Sequence, residues 1–300
     1  MGSYFYDLYT KMNKTNLKIR FSNRHDLLMI IVITIRPNQY MATAETSLPA
    51  WVPFKRAVQH AGEFSLFFFR FLREVFKTPF EGREFLLQCY KVGNKSLPLV
   101  AVTAFIMGLV LTLQTRPSLA AFGAVSLLPG MVSVSVIKEM GPVITAVICA
   151  GKISSRIGAE LGSMKVTEQI DAMEVSAINP FRYLVVTRVL ATTLMLPLLV
   201  IFSDSISLFS SYLAYNIHGD ISITRFFNLA LSKLDWIDII PSIIKSILFG
   251  TAIGIIGCYK GFRVDGGTAS VGTAANSAVV TASLAIFLID LLTVQITDIL

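Results

Sequence analysis

The feature that most restricts this chain is a set of long apolar runs almost free of charge. One begins at Leu97; others cover Met131 to Ala150, Tyr183 to Phe202, Pro241 to Cys258 and Val279 to Ile296. A helix needs about 20 apolar residues to span the hydrocarbon layer, and inside that layer only helices or closed barrels satisfy every backbone polar group. Charged residues make up 15% of the 300 residues, whereas soluble domains carry about a quarter, and mean hydropathy is +0.66. The deficit falls within the runs themselves. These observations predict an all-α integral membrane protein.

The formal charge of +7 raises the question of nucleic acid, but its distribution answers it: 14 of the 26 Lys and Arg precede Ser96. Lys55, Arg56, Arg70, Arg73, Lys77 and Arg83 lie just ahead of the first span. Basic residues in that position mark a cytoplasmic flank facing anionic headgroups, so membrane, and no nucleic acid, is expected. Cys89, Cys149 and Cys258 are too few and scattered for a metal site or disulfide framework. No signal peptide is read near Met1, because the apolar run Leu27 to Ile35 is short and distant from it.

Residues 1–50 read as a basic, poorly ordered N-terminal extension, and 51–300 as one membrane domain. Both a natural start at Met41 and a genuine extension fit the first forty residues. Residues 51–80 predict an amphipathic helix at the membrane interface, with Phe64, Phe67, Phe68, Phe71 and Phe76 against Arg70, Arg73 and Lys77. About five transmembrane helices follow, one of them broken or re-entrant near Thr115, because Arg116-Pro117 interrupts the run. Pro129-Gly130 is a second turn signal, and Asn216 to Asp238 reads as a mixed loop. The Lys and Arg asymmetry places the N-terminus, Lys152 to Arg188 and the Lys260/Arg263 loop in the cytoplasm.

Catalytic signatures are missing from the sequence. Ala150-Gly151-Lys152-Ile153-Ser154 lacks the earlier glycine of a phosphate loop. His25, His60 and His218 are dispersed, and no Gly-x-Ser-x-Gly elbow occurs. A non-catalytic chain is therefore expected. The stretch 159–174 predicts a short amphipathic cytoplasmic helix, with Val166, Ile170 and Met173 on one face and Glu160, Lys165, Glu168 and Asp171 polar. Such a helix suits the groove of a soluble partner.

Lys138-Glu139-Met140-Gly141-Pro142, Ala150-Gly151-Lys152, Glu160 to Glu174 and Asn179-Pro180 together closely resemble the MlaE/YrbE family of permeases. The likeness runs from about Phe64 to the C-terminus and includes Gly261 and Asp290. It implies the permease subunit of an ABC transporter, a homodimer that moves phospholipid or a related lipid between inner and outer membranes. It further implies residence in the bacterial inner membrane, within the cell envelope, with a cytoplasmic N-terminus. ATP and Mg would be bound by partner ATPase subunits and no cofactor by this chain; a Mce-domain (MlaD-like) periplasmic protein would sit outside. On this resemblance Glu160, Met164, Lys165, Glu168, Gln169, Asp171 and Met173 form the ATPase-coupling element. Leu111, Gln114, Leu119, Phe122, Lys138 and Glu139 line a lipid cavity at the dimer interface. Arg116-Pro117 departs from the family pattern at the outer mouth.

Lys138, Glu139, Lys245 and Asp290 are expensive in hydrocarbon, so they are expected to face a cavity, a partner or one another. Gly250 and Gly254 form a small-residue pair suited to close helix approach. Two other functions fit parts of the sequence: an ion-coupled secondary transporter using Glu139, Lys245 and Asp290 as a relay, and a membrane scaffold that recruits a cytoplasmic protein.

Overall fold

A computed structural model describes residues 51–77, 81–217 and 219–299. The chain divides into two units, residues 1–62 and 63–300. Of the first, only the start of helix α1 (Trp51–Val75) is described. The 1–50 extension lies outside the described residues.

The larger unit is helical throughout, with no strand among its described residues. After α1 come α2 (Gly82–Ala121), α3 (Val125–Val166), the short α4 (Gln169–Val175), α5 (Phe181–Asn216), α6 (Ile223–Leu231), α7 (Trp236–Phe262) and α8 (Thr268–Ile299). Five of them, α2, α3, α5, α7 and α8, are long and apolar enough to cross a membrane. These are the spans that the apolar runs predict.

The core forms where α3, α5 and α7 meet. Ile153, Ile157 and Leu161 of α3, Leu184, Val185 and Val189 of α5, and Phe249, Ile253 and Ile256 of α7 are all buried in one cluster. Small residues on α7 bring the helices together. A β-carbon on Gly250 would lie 2.6 Å from the Thr192 carbonyl oxygen, and one on Gly254 2.9 Å from Val189 Cα. Farther along, a β-carbon on Gly261 would lie 2.7 Å from Leu161 Cβ. The residues 63–75 of α1 cover one end of this cluster, Phe67 meeting Phe181 and Tyr259 edge-on at 5.0 and 5.5 Å.

Three expectations about the path of the chain are corrected. First, α2 does not break at Arg116-Pro117; it runs through Pro98 and Pro117 to Ala121. Neighbouring groups can re-satisfy backbone freed by a proline inside a span. Here the Arg116 side chain reaches across to α5, donating to the Tyr215 carbonyl at 2.7 Å with its guanidinium over the Tyr215 ring. The break comes at Gly123, whose φ of +69° suits glycine. There Gly123 N donates to Ala120 O and Ala124 N to Leu119 O, the paired bonds of a Schellman ending.

Second, the span beginning near Met131 does not stop at Ala150. It continues as α3 to Val166, held against α2 by Lys152 to the Lys95 carbonyl and by Arg156 to the Lys91 carbonyl at 3.0 Å. Two π-helical turns interrupt it, Val136–Met140 and Ala150–Ser154. Consequently 159–174 is not one helix: α3 ends at Val166, Glu168 takes a left-handed φ of +59°, and α4 follows. Third, the loop from Asn216 to Asp238 contains α6, capped by Ser222 and seated by Phe226, which packs edge-on to Tyr212 and Tyr215.

Candidate functional site

The residues singled out from the sequence fall into two places on the fold. One is the tip formed by the end of α3, the turn at Thr167–Glu168, and α4. Ile170 is buried, and Met164 and Met173 pack on the main cluster, so α4 is pinned to the bundle by its apolar side. Lys165 pairs with Asp171 at 2.9 Å and fixes the bend. Glu160 is turned inward, paired with Arg156 at 3.7 Å and with the buried Arg188 at 3.4 Å. What the tip presents outward is Glu168, Gln169, Glu174 and Val175, the last 90% exposed. Asn179 then opens α5, its side-chain oxygen accepting from Phe181 N at 3.1 Å.

The second place lies within the spans. Lys138 and Glu139 occupy the first π-turn of α3. Lys245 of α7 is 1% exposed and sits between two carboxylates, Glu139 at 2.8 Å and Asp290 of α8 at 3.1 Å. Lys138 pairs with Asp238 at 3.6 Å. Asp238 in turn closes the capping box at the start of α7. The four intramembrane charges picked out from the sequence thus resolve into a three-residue ion cluster and a separate pair. Their geometry ties three spans together by charge, which is how ionisable groups become tolerable at this depth.

The remaining cavity candidates are only partly gathered. Leu111 and Leu119 pack on a small second cluster with Met107, Leu128, Val132 and Val136. Gln114 is exposed, and Phe122 is 85% exposed beside the α2–α3 turn. A concavity of about 330 Å³ is lined by Arg70, Glu174, Ile178 and Asn179, and another of about 420 Å³ by Phe85, Leu190, Leu194, Pro197 and Ile247. Neither is lined by the six cavity candidates.

Comparison with known proteins places this arrangement. The model of the family "Permease MlaE" matches residues 85–296. The chain belongs to the MlaE permease family. It is 36% identical over 238 residues to a probable ABC transporter permease protein of Rickettsia prowazekii, covering 79% of this chain and 92% of that one. A probable ABC transporter permease protein of Synechocystis is 37% identical over 206 residues, with 69% and 78% covered. One from the red alga Porphyra purpurea is 39% identical over 198 residues, with 65% and 74% covered. Membership of the MlaE family, with five helices able to span, makes this chain the multi-pass permease component of an ABC transporter.

Several residues that the sequence reading passed over carry structure in this MlaE permease. Arg188 and Arg156 bracket Glu160. Glu74 of α1 accepts from Lys77 at 2.5 Å and Arg182 at 3.2 Å. The Lys77 ammonium first, and Arg182 beside it, hold the Glu74 carboxyl below its ordinary value. Asp204, in the middle of α5, is also buried. Its signal in the sequence was a lone carboxylate inside the run Tyr183 to Tyr215.

Proposed function

We propose that this MlaE-family chain moves phospholipid, or a related lipid, between the inner and outer membranes of a bacterial cell envelope, driven by a separate ATPase. The observation that carries the coupling half of the reading is the tip at α3–α4. It is a projection between two spans, bent by the Lys165–Asp171 pair and pinned by the buried Ile170, and it presents Glu168, Gln169 and Val175 outward. An exposed apolar residue ringed by polar ones suits a docking groove on a soluble partner. ATP and Mg belong to that partner, and this chain contributes no cofactor site.

The orientation follows from charge. Lys91, Lys95, Lys152 and Arg156 gather where α2 begins and α3 leaves its apolar stretch, and Lys260 and Arg263 lie at the end of α7. Basic residues at these ends support a cytoplasmic tip and a cytoplasmic N-terminus, and the family resemblance is what suggests the bacterial inner membrane. The lipid half of the reading places the substrate between two copies of the chain. The exposed Gln114 and Phe122, the half-buried Leu111 and Leu119, and the Lys138–Glu139 turn would form one wall of that homodimer cavity. An Mce-domain protein at the opposite end would receive or deliver the lipid.

The test is gentle purification of the tagged chain from its membrane, with mass spectrometry of bound proteins and lipids. A Glu168→Lys/Val175→Asp variant is purified alongside. The expected result is an ATPase and phospholipid with the wild type, and loss of the ATPase alone from the variant. Lipid-dependent ATP hydrolysis by the purified complex separates a transporter from a scaffold. Failure to recover any ATPase would overturn the coupling assignment.

A further inference from the structure

Among the described residues four acidic or basic side chains are buried: Glu74, Arg188, Lys245 and Asp204. Glu74 meets Lys77 and Arg182, Arg188 meets Glu160, and Lys245 meets Glu139 and Asp290. Asp204 differs. It is 9% exposed, its Oδ1 is inaccessible, and it makes no hydrogen bond or ion pair among the described residues. It sits mid-span on α5, pressed against Gly141, where its carboxyl leaves no room for a β-carbon. Gly141 follows directly on the π-turn that carries Lys138 and Glu139.

Among the described residues no counter-ion pairs with Asp204, and α7, which also packs on α5, brings Asp238 and Lys245, engaged with Lys138 and Glu139. On α2, no titratable residue lies between Lys95 and Arg116. On α3 the neighbours are Lys138 and Glu139, already engaged with Asp238 and Lys245 of α7. On α5 itself no other titratable residue occurs between Arg188 and Tyr212. The α6 helix, packed farther along α5 at Tyr212 and Tyr215, carries only the exposed Arg225, with exposed Lys233 just beyond it. The polar groups near Asp204 in the α2–α5 seam are hydroxyls that already donate elsewhere: Ser207 to the Ala104 carbonyl, Ser210 to the Ser207 carbonyl.

A carboxylate cannot persist as an anion at this depth with neither cation nor donor. Oδ1 is pressed against Gly141, which leaves no room on that side for a hydrated metal ion, and the smallest cation that neutralises the group is a proton. We infer that Asp204 is a proton-binding site of the membrane domain, occupied while α3 and α5 are packed together and emptied when they part. The step is a simple exchange: the O–H bond at Asp204 breaks and the proton passes to water admitted between the helices. The permease cycle thereby acquires a protonation step distinct from the Glu139–Lys245–Asp290 cluster. This inference does not depend on which substrate is moved.

Infrared difference spectroscopy on the purified permease, wild type against Asp204→Asn, tests the bound proton directly. Asparagine preserves shape, so the variant is expected to fold. The expected result is a neutral carboxylic-acid carbonyl band in the wild type at neutral pH that disappears in the variant. Spectra that match in that region overturn the assignment. Release is tested with spin labels at Met140→Cys on α3 and Ile201→Cys on α5. Raising the pH should lengthen the interspin distance in an otherwise wild-type chain and leave the Asp204→Asn chain unchanged. An identical pH response in both would overturn the release step.

Discussion

Replacing Lys245 by Met keeps the length and volume of the side chain and removes only its charge. It therefore isolates the electrostatics of the triad from packing. In the native fold Lys245 is almost fully enclosed, with Glu139 Oε2 at 2.8 Å and Asp290 Oδ1 at 3.1 Å. Removing one partner of a buried ion pair costs roughly 3–5 kcal/mol, because the charges left behind are uncompensated. Here two carboxylates are stranded at once, which pushes the loss upward. Glu139, however, retains 37% side-chain exposure, which screens its share and pushes it down. The lower figure, about 3 kcal/mol, is the reasoned expectation. At an unfolding entropy of about 2.1 cal/mol/K per residue, that corresponds in a chain of this size to a fall in melting temperature of about 5 °C. The assay is retention of the monodisperse peak in mild detergent after heating. A Glu139→Gln/Lys245→Met/Asp290→Asn chain, with all three charges gone, should recover most of the loss, since no lone charge remains. A Lys245→Met protein melting within about 1 °C of wild type would refute the reasoning, a shift worth less than about 1 kcal/mol. So would a triple variant no more stable than the single one.

Three other outcomes follow from the geometry. Gly254→Ala should lower stability by about 1–3 kcal/mol through overpacking, because its β-carbon meets the α5 backbone at Val189; Gly151→Ala, with open space around it, should be neutral in the same thermal assay. Arg116→Ala should cost about 1–2 kcal/mol through the lost carbonyl bond and ring contact at Tyr215, with Arg116→Lys recovering only part, as read by heat-dependent loss of the folded peak. Glu74 titrates below its ordinary 4.5 in the folded chain, so its anchoring by Lys77 and Arg182 is fully present above that value and is lost as pH falls through the lowered one. A Glu74→Gln chain should therefore show a flatter stability profile than wild type on the acid side of pH 4.5, and equal slopes would count against the anchor.

Where the sequence spoke clearly, it did so through physics that needs no tertiary context. An apolar run of spanning length is a local property, so the five spans were legible. So was the tension in Lys138, Glu139, Lys245 and Asp290, because a charge in hydrocarbon demands company wherever it lies. Which partner each would find was not legible. Lys138 meets Asp238, a hundred positions away in the chain and outside the apolar runs. The paths of α2 and α3 were misread for related reasons. Arg116-Pro117 carries a strong local breaking signal, yet Tyr215 of α5 captures the arginine and the helix continues. Beyond Ala150 the residues turn polar, yet Lys152 and Arg156 reach backbone carbonyls of α2 and keep α3 helical for three more turns and beyond. The left-handed turn at Glu168 has no glycine to announce it.

The continuity of α3 changes how the two groups of candidate residues relate. Read from the sequence, the span ending at Ala150 and the cytoplasmic helix at 159–174 are separate objects. In the fold the first half of that helix is continuous with the span in the 42-residue α3, and only α4 stands apart; Lys138 lies toward one end of α3 and the tip at the other, separated by roughly 40 Å at 1.5 Å per residue. A displacement imposed at the tip need not cross a loop to reach Glu139. It does cross two π-turns, each departing from the regular hydrogen bonding of its flanks. Between them Gly141–Cys149 is an ordinary helical block, lying against α5 with Asp204 at its first residue. On the proposed function, movement of the tip would turn this block about the π-turns at its two ends. The ion cluster would then resist the turn at Glu139, because Lys245 and Asp290 fasten that point to α7 and α8. On that proposal the charges in the spans would act first on the motion of α3, and only through it on a substrate.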